Sequence, residues 1–536
     1  MPGKTNLFTP ILEAFRQIGP RLATSGRTQE EQEVVASILR EVNRYCRKEV
    51  DGLAIDRRGA LGQEMLDAVA ERGWFGLTIP EEYGGAGLSM SAATRIATEI
   101  CKYNGSLATC VALHSGLALY GLIHLASKDL QSRYLPEIAA GQRIAAFCAT
   151  EPNAGSDIGS MRTLLYEQDG IFRLRGSKSY VTNGGFAGVL TVIASSPGLG
   201  GARGGHTMVV IDPSWTGVHK QAEDNKLGLK GSSTITIDFD DVEVPRDHVI
   251  GEVSKGLDLA HEALTWGRSF MAAGCLGSAM AAVQEAREHI AGRVQFGRTL
   301  DQFPLVREQM AAAMADVYTV ETVLRLVCDV FDSRSGDIAL DSTVAKVLGS
   351  ERAWNVIDRG LQLMGGAGFI EETGMPRRLR DVRVTRIFEG ANDVLRLHLA
   401  SATLGWPRAG LQEFPEVSPL VPAPLRTEAE RFDEMLREVG VCLASIQKQY
   451  GFKLFQRQSL QSVMADAIMA TYGMMAVLVR AAASVQDQDT PETCVELATA
   501  KLACKRLESE ARLALQTMTR GADDEALTLA NAVLAQ

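Results

Sequence analysis

Near residue 146 the chain changes texture, and that change limits its folds more than any other feature. Before it, residues 1–145 read as helical: Leu66, Val69 and Ala70 fall at helical spacing ahead of Gly73. After it come short runs of β character at 171–174, 189–194, 208–211 and 234–239, separated by Gly, Pro, Asn and Asp turn signals. Residues 234–239 alternate as a half-buried strand does, and 197–205 read as a flexible loop. Helical pattern returns at about 254 and runs to about 405, most clearly over 311–327. Prolines at 407, 415, 419, 422 and 424 mark a linker, and a last helical segment follows. The expected fold class is mostly α with an inserted β domain. Its expected parts are an N-terminal helical domain (1–145), a middle β domain (146–253), a helical bundle (254–405), a Pro-rich linker (406–426) and a C-terminal helical domain (427–536).

Composition narrows the class further. The 536 residues are 46% hydrophobic and 22% charged, as in ordinary globular proteins, and only 6% aromatic, which disfavours a large all-β protein. A net charge of −10 argues against nucleic-acid binding. Nine dispersed cysteines without a C-x-x-C pair read as reduced, buried thiols of a cytosol-like compartment. The first thirty residues hold no continuous apolar segment of a secretory signal. Lys4, Arg16, Arg21 and Arg27 leave a transit peptide open. Residues 103–127 carry no Asp, Glu, Lys or Arg, long enough to cross a bilayer. Asn104, Ser106, Thr109, His114, Ser115 and His124 interrupt them, so a helix buried in a large protein is the better reading. Ser89 and Ser91 are each placed to cap the helix that follows Gly87.

There is no G-x-G-x-x-G, Walker loop, H-E-x-x-H or G-x-S-x-G, and the eight histidines show no metal-ligand spacing. Three constellations remain. Phe147, Cys148, Ala149, Thr150, Glu151, Pro152, Asn153, Ala154, Gly155, Ser156 and Asp157 stand at the entry to the β block. Their small and hydroxyl residues leave backbone N–H groups accessible to a flat polar ligand, or form a plain tight turn. Gln362, Leu363, Met364, Gly365, Gly366, Ala367, Gly368 and Phe369 permit close backbone approach, or a helix end closed by Gly. Arg386, Ile387, Phe388, Glu389, Gly390, Ala391, Asn392 and Asp393 set a carboxylate among Ile and Phe before a Gly. Desolvated there, Glu389 suits a general base; the alternative is an exposed loop Glu.

In this order the segments resemble the acyl-CoA dehydrogenase family. Residues 148–160 fit its first signature, except that Ala149 replaces a larger aliphatic. Residues 362–381 fit the second, including Glu372, Arg377 and Asp381. Tyr180 to Gly185, Lys226 to Lys230 and Arg293 to Gly297 match as well, so the resemblance spans roughly 35–400. Leu395, Arg396 and Leu397 after the Glu389 segment, Gly267 and Arg268 before Met271, and the tail at 450–485 resemble the very-long-chain branch.

The resemblance implies FAD-dependent conversion of a long-chain acyl-CoA to the trans-2-enoyl-CoA, as in fatty acid β-oxidation. It makes Glu389 the base that takes the α-proton while the β-hydrogen leaves as hydride to flavin N5. The thioester oxygen would meet the Glu389 backbone N–H and the ribityl 2′-hydroxyl of FAD. By the same resemblance Phe147, Ala149, Thr150, Gly155 and Ser156 line the cofactor. Tyr180 stands in the place of the usual Trp, and Thr182 lies near N5. Arg293, Gln295, Phe296 and Phe303 reach the FAD across a homodimer interface, as do Gln362, Gly365 and Gly366, while Asn392 and Asp393 serve the subunit's own FAD. Ser156, Arg268, Phe388 and Gly390 are implied on the substrate side. Small residues at 105, 106, 108 and 116 suit a wide acyl channel or close helix packing equally. Ala391 departs from the usual Thr.

Electron-transfer flavoprotein is the implied acceptor, and a bacterial cytoplasm or a mitochondrial matrix the implied location. Residues 439–465 lack Asp and Glu while Lys448, Lys453 and Arg457 flank Phe452 and Phe455, up to Ala465. This stretch suits peripheral membrane contact or docking on the protein's own dimer. Two other readings stand beside the dehydrogenase. One is a same-fold flavoprotein acting on an acyl carrier protein thioester or as an oxidase. The other is a non-catalytic assembly scaffold.

Overall fold

The computed structural model describes residues 7–8, 11–12, 28–201, 205–333, 338–403, 416–485, 491–520 and 524–534. The basic residues that left a transit peptide open lie outside them, as do 406–415 of the expected linker and 202–204 of the expected loop.

Helices α1 (Gln29–Glu49), α2 (Gly52–Arg58), α3 (Gln63–Glu71), α4 (Met90–Tyr103), α5 (Gly105–Leu113), α6 (Tyr120–His124) and α7 (Lys128–Ala139) precede the first strand. Thr28, Asp51, Ser89, Asn104 and Ser127 each accept a first-turn N–H, the usual chemistry of a helix start. Of the two serines ahead of α4, Ser89 is the cap, and Ser91 is buried in the first turn. Between α5 and α6 the chain forms a π-helical turn, His114–Ala118.

The sheet has eight strands: β1 (Ile144–Cys148), β2 (Leu164–Gln168), β3 (Ile171–Thr182), β4 (Ala187–Ser195), β5 (His206–Ile211), β6 (Val218–Glu223), β7 (Thr234–Val244) and β8 (Val249–Ile250). Their order is β6-β7-β3-β2-β4-β5-β8, with β1 parallel to β4 over Ala187 to Val192 and β2 meeting β4 only at Ser195. The other pairings are antiparallel. One face packs on the α6–α7 region through Val189, Ile193, Met208 and Val210, and the other holds Leu190, Val192, Ile235 and Ile237.

Helix α8 (Gly256–Gly292) leads to a small hairpin of β9 (Val294–Gln295) and β10 (Arg298–Thr299). Then come α9 (Pro304–Asp332), α10 (Ala339–Met364), α11 (Met375–Arg383), α12 (Asn392–Thr403), α13 (Arg426–Tyr450), α14 (Gln458–Val485), α15 (Pro491–Arg520) and α16 (Asp524–Leu534). The chain packs as two compact units: residues 27–306 with 349–390, and residues 307–348 with 391–536 and the first 26.

In the unit that holds the sheet, α8 packs on α4 at unusually short range. A Cβ on Gly277 would stand 2.2 Å from Thr98 O, and Thr98 Oγ1 donates to Ala273 O at 3.2 Å. In the other unit α14 forms the core. Tyr472, fully buried, donates to Asp341 Oδ1 at 2.6 Å, and Arg396 pairs with Asp466 at 2.8 Å. The part of the linker that is described makes two 3-10 turns, Ser418–Leu420 and Ala423–Leu425. Asp433 accepts the N–H groups of Val417 and Ser418 at the first. Among the described residues two helical segments, Gly105–His124 and Gln458–Val485, are long and apolar enough to cross a membrane, yet 83% of each apolar window is buried in protein. The cysteine expectation needs one correction. All nine are free and seven are buried, but Cys442 is half-buried and Cys494 exposed, because α15 turns that side outward.

Candidate active site

Glu389 follows α11 and a 3-10 turn, Val384–Arg386, at an elbow where the backbone turns left-handed. Its φ is +56° and that of Gly390 +97°, a conformation a non-Gly residue adopts only when the surroundings enforce it. Arg268 Nε donates to Glu389 O at 3.3 Å. Burial lowers the Arg268 pKa, and the Glu389 charge opposes that shift. Gly267 leaves room for the carboxylate: a Cβ there would lie 2.5 Å from Glu389 Oε2. Glu389 is half-buried, so it is not the exposed loop Glu of the alternative reading. The apolar neighbours differ from those expected. Ile387 is 54% exposed and gives no shelter, whereas Leu117 Cδ1 lies 3.1 Å from the same Gly267 Cβ position.

Phe388 lines a narrow cavity that runs between α4, α5 and α8. Its walls are largely apolar and include Ala97, Ala112, Phe270 and Gly274. The small residues divide between the two roles left open by the sequence. Gly105 and Ala108 line the cavity. Ser106 instead accepts Gly231 N–H at 3.1 Å, and Gly116 packs on Phe270, where a Cβ would come within 2.5 Å of the ring. Asp381 is the one carboxylate on the wall among the described residues and accepts Leu229 N–H at 2.5 Å. Burial holds its carboxyl above the usual range, against the pull of Arg377.

The loop that follows β1 is fixed from below. Lys178, wholly buried in β3, pairs with the equally buried Glu151 at 2.8 Å and donates to Ala149 O at 3.0 Å. Glu151 also accepts the N–H groups of Arg162 (2.6 Å) and Thr163 (2.9 Å). Burial works against the Glu151 charge, but Lys178 and these donors outweigh it and hold the carboxyl below its usual range. Burial likewise lowers the Lys178 pKa, against the favourable Glu151 charge. Ser179 N–H donates to Thr150 O at 2.9 Å, so residues 149–151 and 178–180 meet. At that junction β3 shifts register against β7, and Tyr180 sits at φ +57° with 69% of its surface exposed. Phe147 on β1 and Thr182 on β3 are half-buried, while Gly155 and Ser156 are exposed.

The remaining implied positions lie elsewhere. Arg293 ends α8, and Gln295 and Phe296 lie on the exposed hairpin, with Phe296 at φ +51° and 93% exposed. Its ring meets Phe303 edge-on at 6.2 Å, and Arg298 stacks on Phe303 at 4.0 Å. Gln362, Gly365 and Gly366 are exposed at the end of α10. Gly365, at φ +58°, ends the helix as the alternative reading had it. Asn392 and Asp393 belong to the second unit, where buried Asn392 accepts Lys346 Nζ at 2.7 Å and Asp393 is exposed. Sequence reasoning missed Lys178, Gly267 and Leu117 as supports. The signal for Lys178 was a lysine in a run whose neighbours mark a strand.

Residues 28–142, 146–242 and 254–404 match the acyl-CoA dehydrogenase N-terminal, middle and C-terminal domain families. Residues 423–535 match the family described as ACAD9/ACADV, C-terminal domain. A very long-chain specific acyl-CoA dehydrogenase, mitochondrial, of Rattus norvegicus is 35% identical over 390 residues, 71% of this chain and 58% of that protein. An acyl-CoA dehydrogenase of Bacillus subtilis is 30% identical over 70% of this chain and 98% of its own. The crystal structure of a Bacillus anthracis acyl-CoA dehydrogenase complexed with FAD superposes with a TM-score of 0.84, at 25% identity, over 95% of this chain and 91% of that one. The chain belongs to the acyl-CoA dehydrogenase family. It spans 58% of the length of the very-long-chain relatives it matches.

Proposed function

We propose that the protein is an FAD-dependent dehydrogenase that converts long-chain acyl-CoA to trans-2-enoyl-CoA, with Glu389 as the base. The observation that carries this reading is the half-buried Glu389 carboxylate on a left-handed elbow, next to Phe388 on the wall of a narrow, largely apolar cavity. FAD is suggested by the Bacillus anthracis relative, and this chain's own surface suits it. An exposed aromatic ring, Tyr180, stands beside the backbone of Thr150 with Ser156 exposed near by in sequence, a donor set that fits a flat polar ring. Phe147, Ala149, Thr150, Gly155, Ser156, Tyr180 and Thr182 would hold it, with Arg293, Gln295, Phe296, Phe303, Gln362, Gly365 and Gly366 contributed by a second subunit. When bound, the flavin supplies the acceptor for the β-hydride.

The chain's own part is proton removal and charge stabilisation. An α-proton of a thioester is too weakly acidic for an unaided carboxylate, so the developing enolate needs a donor at the carbonyl oxygen. The backbone N–H of Glu389 serves as that donor. Arg268, held against Glu389 O, braces the elbow, and Gly390 gives the backbone room to turn. The apolar cavity takes the acyl chain and keeps water from the site.

A homodimer is supported by the exposure of Phe296 (93%) and Phe369 (77%), and electron-transfer flavoprotein is the acceptor we assign. Peripheral membrane contact is supported by Phe452 (91% exposed), Val441 (56%) and Phe455 (51%) among Lys448, Lys453 and Arg457. Anaerobic mixing of the FAD-loaded protein with palmitoyl-CoA should bleach the flavin. No bleaching by any acyl thioester would favour a scaffold, and bleaching by carrier-protein thioesters alone would favour the second substrate class.

A further inference from the structure

The geometry points to the π-helical turn His114–Ala118 as the positioning element of the Glu389 carboxylate, with Leu117 as the side chain that acts on it. The inference rests on the reading of Glu389 as the base.

A π-turn breaks the regular i to i−4 ladder and survives where neighbours take up the displaced carbonyls. Here two buried hydroxyls do so. Thr78 Oγ1 donates to Ser115 O at 3.1 Å, and Thr191 Oγ1 donates to Ala118 O at 3.0 Å. The His114 ring fastens the start of the turn. Its Nδ1 accepts Ala145 N–H at 2.9 Å, and Nε2 lies 2.9 Å from Phe75 O. Only the neutral ring protonated on Nε2 satisfies both partners, and burial, which brings the pKa down to about 4, favours that neutral form.

What the turn presents is an approach to α8 that a regular helix with ordinary side chains would not reach. Gly116 lies flat against Phe270, at a distance no Cβ would permit. The next residue, Leu117, reaches the spot over Gly267 that Glu389 Oε2 also reaches: a single Cβ placed on Gly267 would stand 3.1 Å from one and 2.5 Å from the other. Leu117 therefore forms an apolar stop that borders the carboxylate over Gly267. Backbone strain at φ +56° sets the direction of Glu389, and Leu117 limits where its carboxylate comes to rest. Leu117 is a positioning residue in this scheme; it carries no proton.

The test uses the FAD-loaded full chain with Leu117→Ala, Leu117→Met and Glu389→Gln. Four readouts are taken: thermal midpoint, binding of a 3-thia-palmitoyl thioester of CoA, flavin reduction at saturating palmitoyl-CoA, and labelling of Glu389 by a water-soluble carbodiimide. Leu117→Ala should keep thioester affinity within threefold, slow flavin reduction by about tenfold to hundredfold, and speed Glu389 labelling several-fold. Leu117→Met should restore both rates to within threefold. A weakened KM at unchanged kcat would make Leu117 a mere wall of the acyl cavity and overturn the inference. So would unchanged reduction and labelling. Failure of the underlying reading looks different: Glu389→Gln would then reduce flavin at the wild-type rate. If Leu117→Ala loses the fold, Leu117→Ile and Leu117→Val carry the same comparison with smaller changes of shape.

Discussion

Replacing Gly267 by alanine probes the placement of the base through a single methyl group. That methyl would stand 2.5 Å from Glu389 Oε2 and 3.1 Å from Leu117 Cδ1. Since contacts below 3.0 Å are essentially never seen at a real Cβ, the carboxylate must retreat by at least about 0.5 Å. The obstructing atom ends a flexible side chain, and alanine is favoured over glycine inside a helix by about 1 kcal/mol. The thermal midpoint is therefore expected to hold or rise. The chemistry is less tolerant, because a misplacement approaching 1 Å costs up to about 100-fold. Flavin reduction at saturating palmitoyl-CoA should fall about tenfold to hundredfold, or about 1.4 to 2.7 kcal/mol of barrier, with FAD content unchanged. Anaerobic stopped-flow absorbance measures the rate and a heated melt the stability. A rate within threefold of wild type at unchanged stability would refute the reasoning, because the carboxylate would then not depend on the gap at Gly267.

Lys178→Met strands Glu151, whose side chain is 2% exposed, with only the backbone donors of Arg162 and Thr163. The expected loss is about 3 kcal/mol in urea melts, and adding Glu151→Gln should recover at least half of it. His114 has a folded pKa lowered from 6.5 to about 4, so the unfolded chain binds more protons between those values. Stability should therefore fall as pH drops from about 6.5 to about 4, by about 3 kcal/mol, and level off below; urea melts of wild type and His114→Gln at pH 7 and pH 4.5 check the difference. Phe452→Ser with Phe455→Ser should lower flotation with anionic liposomes without changing the melt, and unchanged flotation would remove these side chains from any membrane contact.

Much of the architecture was legible because the period of the apolar residues changes with the element. The strand at Thr234–Val244 announced itself by alternation, and α9 by the pattern at 311–327. Glu389 was legible as a motif, but its shelter was not. Adjacency suggested Ile387, which points outward, whereas Leu117 comes from 272 positions away in sequence (389 − 117). The small residues of α5 were ambiguous for a physical reason. A missing side chain can face a cavity, as at Gly105, or admit a ring, as at Gly116. The π-turn had no signature, since a charge-free apolar run hides a one-residue slip in period. The Lys178–Glu151 pair escaped because each member reads as a surface charge until the loop folds over the strand.

The most direct measurement compares wild-type protein with Glu389→Gln under anaerobic mixing with palmitoyl-CoA, both loaded with FAD. The wild type should bleach the flavin, and the variant should bind FAD and thioester yet leave the flavin oxidised. Reduction of the variant's flavin at the wild-type rate would contradict the assignment of Glu389 as the base.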